Sequence, residues 1–199
     1  GVRGGVYGFD GVAYHPLPFP DSLKHYDVSM LADAGQQLFA GLSSGALLCW
    51  TNTGMDQLPE LLMQAGAPVT DMVFNSRHTW ISTYGNGIWF RSEVDDKSLF
   101  TKVDKLPDES VYDLHADDAG KLWAATDGGL LQISSVDGAF EMAVFGPTEG
   151  LPDLLVTCLY LDEENQLWLG FQDGGFCSFD PVSHQAQRIK AAENWQAGR

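Results

Sequence analysis

Histidines and clustered carboxylates are the residues of this sequence whose types could do chemistry. The five histidines are His15, His25, His78, His115 and His184, and no two of them have the spacing of a metal site. The acidic runs Asp117-Asp118 and Asp162-Glu163-Glu164 offer oxygen ligands of the kind that Ca²⁺ prefers, but they lack the regular spacing of a calcium loop. Phosphate-binding loops, nucleotide fingerprints and nucleophile elbows are absent from the sequence. We therefore predict no catalytic residue, no bound metal and no cofactor.

Tryptophan is the other residue type that invites a functional interpretation, since its ring can stack on a sugar. Four aromatic residues recur at separations of 41, 43 and 45 positions, namely Phe39, Trp80, Trp123 and Trp168. A residue that returns in nearly every repeat is most simply a packing wedge in the core. Trp89 and Trp195 have no counterpart in the other repeats, so they are the better candidates for exposed aromatic contacts.

Residues 111–150 give the clearest view of one repeat. Four short apolar runs are separated by turn signals, such as Asp127-Gly128-Gly129, where glycine tolerates the positive φ of a tight hairpin. Segments this short leave no room for helices of ordinary length. Each repeat is therefore predicted to be a four-stranded antiparallel meander.

The strands of a repeat are apolar on both sides. Leu122 and Ala124 point to one side of the sheet, and Trp123 and Ala125 point to the other. A sheet that is apolar on both faces must be sandwiched between two neighbours, and radial repetition of four-stranded sheets satisfies this condition. We predict an all-β fold, a β-propeller of four-stranded antiparallel blades. A stacked β-solenoid is the structural alternative, although its coils are usually shorter.

The repeats resemble the two-component regulator propeller repeat. The copies at 69–110, 111–155 and 156–190 share the valine, the Asp or Asn turn, the tryptophan and the glycine turn, and the copy at 25–68 matches loosely. The resemblance covers about four fifths of the chain. Phe39 in place of Trp and Ser43-Ser44-Gly45 in place of the Asp-Gly-Gly turn depart from it. The resemblance implies the extracytoplasmic sensor region of a bacterial hybrid two-component system, in which oligosaccharides are typical ligands and ligand binding biases a dimer.

The predicted organisation is a single propeller over residues 1–199. Its parts are a half-blade at 1–24, repeats at 25–68, 69–110, 111–155 and 156–190, and a tail at 191–199. Gly4 to Asp10 aligns with Gly174 to Asp180, so the chain opens on the third strand of a blade. We expect a piece of a larger propeller, usually seven-bladed in that family, with another copy or chain as the alternative supplier of the rest. Residues 56–64 lack strand alternation and are expected to hold a helical turn in a loop.

Composition limits the classes of partner. A formal charge of −16 argues against nucleic acid and anionic membrane surfaces, because both require a basic patch. The sequence contains no apolar run long enough to span a membrane. The cysteines Cys49, Cys158 and Cys177 are odd in number and are expected to be buried free thiols.

A candidate ligand site follows from the predicted propeller. The turns between second and third strands and the connections between blades should lie on one face, around the mouth of the channel. The residues at these positions are Tyr84, Asn86, Asp108, Glu109, Asp127, Asp153, Gln172 and Asp173. We expect them to form an acidic, hydrogen-bonding rim, with ordinary solvated turns as the alternative.

The sequence thus favours a non-enzymatic propeller that senses an oligosaccharide, another small ligand or a protein partner in the periplasm or outside the cell. Two other functions stay open. One is a protein–protein scaffold of the cell envelope or of a secretion system, and the other is a propeller lyase-type enzyme, for which no cluster of histidines or acids is visible.

Overall fold

The computed structural model of the protein describes residues 5–51, 54–58, 66–75, 77–92, 100–117, 120–136, 139–173 and 175–189. Within them the chain is built of β-strands, with single turns of 3-10 helix at Asp21–Leu23 and Pro147–Glu149. The strands are β1 Tyr7–Phe9, β2 Tyr14–Pro16, β3 Val28–Asp33, β4 Leu38–Leu42, β5 Leu47–Thr51, β6 Gly54–Leu58, β7 Val69–Phe74, β8 His78–Thr83, β9 Ile88–Ser92, β10 Thr101–Lys102, β11 Val111–Ala116, β12 Leu122–Thr126, β13 Gly129–Val136, β14 Ala139–Phe145, β15 Val156–Leu161, β16 Leu167–Phe171, β17 Gly175–Asp180 and β18 Gln185–Arg188.

The strands form one two-stranded sheet and four four-stranded sheets. Strands β1 and β2 make the half-blade, and blades 1 to 4 are the antiparallel meanders β3–β6, β7–β10, β11–β14 and β15–β18. The first strand of each blade contacts the first strand of the next. The sheets therefore fan out from a common edge, as blades of a β-propeller do, and the predicted fold class is confirmed.

The core lies between the blades in four successive apolar clusters. Trp80 packs against blade 3, beside Leu122, and Trp123 packs against blade 4, beside Phe179. Both tryptophans are buried, as the repeat pattern predicts. Trp168 differs from the prediction and is half-buried, because none of the described sheets covers the outward face of blade 4. Phe39 takes the place of tryptophan in the cluster between blades 1 and 2.

Each inner strand carries a β-bulge at its second residue. The register shifts fall between Val28 and Met30, Val69 and Asp71, Val111 and Asp113, and Val156 and Cys158. A bulge re-aims the side chains that follow it. The hydroxyl groups of Ser29 and Thr70, at the bulged position, donate to the carbonyl oxygens of Val69 and Val111 in the next blade, at 2.6 and 2.7 Å. These hydrogen bonds join successive inner strands to each other.

Two glycines permit contacts that a side chain would prevent. Gly129 has a φ of 119° in the tight turn that opens β13, and a Cβ atom there would collide with the Phe145 carbonyl oxygen. Gly41 on β4 faces the inner strand of blade 2, where a Cβ atom would lie 2.6 Å from the Cβ of Val69. Glycine at this point therefore lets blades 1 and 2 approach each other closely.

Several expectations require correction. Residues 54–58 are the outer strand β6, so the predicted helical turn is wrong there, and 59–65 lie outside the described residues. Trp89 is half-buried against the cluster between blades 1 and 2, and Trp195 lies outside the described residues. All three cysteines are free, but only Cys49 and Cys177 are buried, whereas Cys158 is exposed on the inner strand of blade 4.

Candidate functional site

The turns between second and third strands lie beside the connections that enter the inner strands. One backbone hydrogen bond repeats in all four blades and joins the two segments. It runs from the N–H of Ser43 to the carbonyl of Asp27, from Tyr84 to Pro68, from Asp127 to Ser110, and from Gln172 to Leu155. The first residues of the four turns therefore occupy equivalent places on one face of the molecule, which we call the turn face.

Two of the predicted site residues meet on the turn face across the seam between blades 2 and 3. Tyr84 opens the β8–β9 turn, and its ring lies 5.6 Å from the ring of Tyr112 on β11. The Tyr112 hydroxyl donates a 2.6 Å hydrogen bond to Oδ1 of Asp127, in the β12–β13 turn. This hydrogen bond, together with burial, raises the pKa of Tyr112 well above its ordinary value. The three side chains form the aromatic–carboxylate site.

Tyr112 is not among the candidate residues that the repeat pattern indicates. The equivalent positions in the other blades hold Ser29, Thr70 and Thr157, whose hydroxyl groups are used for hydrogen bonds to backbone carbonyls. A phenol is too long for that role, so the Tyr112 hydroxyl extends to Asp127 instead. Comparison of this one position across the four repeats is the signal that would have found it.

Asn86 and Glu109 are joined by a lysine beside Tyr84. The ammonium group of Lys102 donates to Oδ1 of Asn86 at 3.0 Å and to Oε1 of Glu109 at 2.8 Å. The backbone carbonyl of Glu109 accepts the N–H groups of Gly85 and Gly87 in the turn. This part of the rim therefore carries a cation and is less acidic than the sequence suggests.

The remaining predicted residues do not join the aromatic–carboxylate site. Asp108 and Asp153 accept backbone N–H groups of their own connections, from Ser110 at 2.7 Å and from Leu154 at 2.6 Å. These hydrogen bonds are typical of aspartate in turns. Gln172 and Asp173 are exposed in the corresponding turn of blade 4.

The aromatic–carboxylate site presents both apolar and hydrogen-bonding groups at the surface. Tyr84 is about half exposed, at 48% of its full accessible surface, and so offers its ring to solvent. The Asp127 carboxylate accepts hydrogen bonds, and the phenol groups donate and accept them. Among the described residues, no group of three or more His, Cys, Asp or Glu side chains could hold a metal ion.

A second polar feature that sequence analysis missed lies on the inner strands. The side chains of Asp71 on β7 and Asp113 on β11 meet at one backbone N–H group. The N–H of Leu114 is shared between them, at 2.9 Å from Oδ2 of Asp71 and 3.0 Å from Oδ1 of Asp113. Asp113 Oδ2 also accepts the N–H of Leu159 in blade 4, at 2.7 Å. Two carboxyl groups thus link the inner strands of blades 2, 3 and 4.

Burial, together with the neighbouring Asp71 carboxyl, raises the pKa of Asp113 to about 7, against the lowering effect of the two backbone N–H groups. A cavity of about 340 Å³ opens next to the pair, between β3, β7 and β11. Asp33, Asp71 and His115 are the ionisable residues in its wall.

No helix among the described residues is both long and apolar enough to cross a bilayer.

Comparison with known sequences connects the repeats to a family. The sequence profile of the family described as two component regulator propeller matches residues 105–128 and 150–173. Each matched segment runs from the connection before a blade, through its first two strands, to the turn face. Curated protein sequences give no match.

Solved structures of low sequence identity share the fold. One is an extracellular domain assigned to a hybrid two-component system of B. thetaiotaomicron, with 18% identity and a TM-score of 0.70 over 93% of this chain and 27% of that one. Another, assigned to a one-component system of the same organism, has 16% identity and a TM-score of 0.68 over 86% of this chain and 23% of that one. Virginiamycin B lyase from Staphylococcus aureus has 15% identity and a TM-score of 0.63 over 82% of this chain and 55% of that one. This chain thus spans about a quarter of the length of the two extracellular domains.

Proposed function

We propose that this chain, which carries two-component regulator propeller repeats, belongs to the extracytoplasmic sensor region of a signalling protein and binds a ligand at the aromatic–carboxylate site. The observation that supports the site most is the pairing of Tyr84 from blade 2 with Tyr112 and Asp127 from blade 3. Elsewhere in the molecule the hydroxyl at the position of Tyr112 is used internally, so blade 3 departs from its own repeat at this point.

An oligosaccharide is the ligand class that suits these groups. Its ring hydroxyls can donate to the Asp127 carboxylate, and its apolar C–H face can pack on the exposed ring of Tyr84. The nearby Lys102, Asn86 and Glu109 add polar groups that fix orientation. A ligand that touches both blades has a different affinity for each arrangement of the seam, and this difference is what a sensor needs in order to pass a signal to a following domain.

The test is calorimetric titration of the chain with neutral oligosaccharides such as maltotetraose and cellotetraose. We expect saturable binding that weakens about tenfold or more in Tyr84→Ala, which corresponds to the loss of about 1.4 kcal/mol. Tyr160→Ala is the matched control, because Tyr160 is also exposed but lies on the inner strand of blade 4. Equal losses in both variants, or binding that survives Tyr84→Ala, would contradict the assignment of the site.

The alternatives predict different results in the same experiment. A cell-envelope or secretion scaffold would bind a protein and show no saturable small ligand. A lyase-type enzyme, a possibility raised by the fold shared with virginiamycin B lyase, would instead convert uronic or ester substrates to product, so a polyuronate is incubated with the chain in parallel. Product analysis after long incubation separates this outcome from binding.

A further inference from the structure

The carboxyl groups of Asp71 and Asp113 lie at the seam between blades 2 and 3, the same two blades that form the aromatic–carboxylate site. Three backbone N–H groups point at the pair, from Met72 to Asp71, from Leu114 to both, and from Leu159 to Asp113. Because Asp71 Oδ2 and Asp113 Oδ1 lie 2.9 and 3.0 Å from the same Leu114 nitrogen, the two carboxyl groups are close neighbours. A carboxylate can only accept hydrogen bonds, so a hydrogen bond between them would require a proton on one of the two.

We propose that Asp71 and Asp113 hold one proton between them, and that this proton keeps the inner strands of blades 2 and 3 together beside the aromatic–carboxylate site. When the proton leaves to solvent, two half-buried carboxylates face each other across the seam and repel. The seam loosens at that point, because the repulsion acts between the strands that the hydrogen bond had joined. The consequence for ligand binding rests on the proposed function, whereas the shared proton does not.

The described strands packed around the pair, namely β3, β7, β8, β11, β12 and β15, carry no lysine or arginine. Among the described residues no salt bridge reaches either carboxyl. Ser82 on β8 and Ala125 on β12, which pair with Asp71 and Asp113, are uncharged. The other ionisable groups on the inner strands packed around the pair are Asp33 on β3, Tyr112 and His115 on β11, and Cys158 and Tyr160 on β15.

The position of the pair connects it to the site. Asp113 is the neighbour of Tyr112 at the bulge of β11, where Tyr112 extends to the turn face and Asp113 to the adjacent inner strands. Asp71 lies three residues after Pro68, whose carbonyl holds the N–H of Tyr84. A change in the separation of β7 and β11 therefore changes the separation of Tyr84 from Tyr112.

Linkage determines the direction of the pH effect. The pKa of Asp113 is raised on folding, so the folded state retains a proton that the unfolded state has released. This contribution to stability is fully present below the unfolded pKa, near 4, and is lost as pH rises from there to about 7. Above about 7 it stays constant, since both states are then ionised.

The test that needs no ligand is infrared spectroscopy of the whole chain as pH rises from 6 to 8. Ordinary carboxyl groups are already ionised at pH 6, so a protonated-carboxyl band at that pH belongs to a group of raised pKa. We expect the band in the wild type at pH 6, its loss by pH 8, and its absence from both Asp71→Asn and Asp113→Asn. No band in the wild type, or a band that persists in both variants, would overturn the proposal.

Thermal melting supplies a second measurement. Asn at position 113 keeps an oxygen for the N–H of Leu159 and offers Asp71 a permanent donor, so Asp113→Asn imitates the protonated pair. The wild type should melt several degrees lower at pH 8 than at pH 5, and this fall should vanish in Asp113→Asn. Glu141→Gln, which removes one exposed charge on β14, is the control and should retain the fall. Equal falls in all three proteins would overturn the proposal. Asp71→Asn replaces Asp113→Asn if that variant does not fold.

Saccharide titration of the same variants separates the two proposals. If the chain binds no saccharide while the band behaves as described, the shared proton stands and the proposed function fails. If the chain binds saccharide but the affinity changes equally with pH in the wild type and in Asp113→Asn, the proton does not regulate the site.

Discussion

The indole N–H groups show how single residues distinguish otherwise similar blades. Trp123 Nε1 donates to Oδ2 of Asp117 at 3.3 Å, and Trp168 Nε1 donates to Oδ2 of Asp162 at 2.7 Å. The spacing between the turn aspartate and the tryptophan, which recurs in blades 3 and 4, thus has a physical basis. The aspartate closes its turn with one oxygen and receives the indole with the other.

Blade 2 has asparagine at the position of that aspartate. Asn75 Oδ1 accepts the N–H groups of Arg77 and His78, which fixes the amide orientation and turns Nδ2 away from them. Asn75 Nδ2 and Trp80 Nε1 are both buried donors without a partner. A nitrogen thus occupies the place where blades 3 and 4 present a carboxylate oxygen.

Replacement of that nitrogen by oxygen should stabilise the protein. We expect Asn75→Asp to increase the free energy of unfolding by about 1 kcal/mol, because the carboxylate accepts both turn N–H groups and the buried indole N–H. Urea denaturation at pH 7 measures the change. Gln187→Glu, which adds the same charge at an exposed position of β18, is the control. A stability equal to or below that of the wild type would contradict this account of the Trp80 environment.

At the scale of the elements, each blade is held by the sheet that packs on its tryptophan face. Trp123 is fully buried and lies 6.0 Å from the ring of Phe145 and 5.9 Å from that of Phe179. Trp168 occupies the equivalent place in blade 4 but is only half-buried, with Phe176 as its aromatic neighbour at 6.2 Å. The same residue at the same repeat position therefore has two different environments.

This difference predicts unequal losses of stability. Trp123→Ala should lower the free energy of unfolding by about 3–5 kcal/mol, since it leaves a large cavity between blades 3 and 4. Trp168→Ala should cost clearly less, because solvent already reaches part of its ring. Chemical denaturation of the two variants in parallel checks the prediction. Equal losses in the two variants would mean that packing of Trp123 between blades 3 and 4 does not contribute the extra stability assigned to it.

At the scale of the whole molecule, exposed aromatic residues occur on the faces of the outermost sheets. The half-blade exposes Tyr7, Phe9 and Tyr14, and blade 4 exposes Tyr160 and Phe176. Between the half-blade and β3 lies a largely apolar cavity of about 710 Å³, bordered by Val6 and Met30 among others. Apolar surface of this kind favours association, while a net charge of −16 opposes it.

Salt should shift the balance between these two effects. In about 0.02 M salt the mutual repulsion of the chains is strong, and in about 0.5 M salt it is screened over a few ångströms. We expect the average mass measured by light scattering to rise with salt, and the rise to be reduced in a Tyr160→Ser, Phe176→Ser variant. Ser substitutions at Val12 and Val182, which are exposed outside these faces, are the control. A rise that is the same in both proteins would show that the aromatic faces do not drive the association.

Much of the fold could be predicted from the sequence because it depends on neighbours along the chain. Blades 2 to 4 are identified directly by the short apolar runs, by the Asp and Gly residues of the tight turns and by the spacing of the tryptophans. The helical turn predicted within 56–64 was wrong at 56–58, because these residues pair with β5 and such pairing is not visible in their own order along the chain. The prediction that Cys158 is buried was wrong, because the exposure of a side chain on an inner strand depends on which other strand packs against it, and the sequence of the strand does not show this.

The candidate site could be predicted only in part. The placement of Tyr84 and Asp127 on one face could be predicted, because turns that follow second strands share a face in any propeller. Their partner Tyr112 was missed because it lies on a strand, where a polar residue between two apolar ones looks ordinary. The use of Asp108 and Asp153 as turn caps also depends on local backbone geometry that composition does not specify.

The sequence by itself therefore determined the repeating unit, its four strands and the tryptophans between blades, because these follow from interactions within about forty residues. Only the tertiary structure decided which side chains meet across a seam. Asp71 and Asp113 are separated by a whole repeat, and a bulge in each inner strand directs them to a common N–H group. The contact depends on the angle between two sheets and on the register at each bulge. Neither can be read from the residues that flank Asp71 or Asp113 in the sequence.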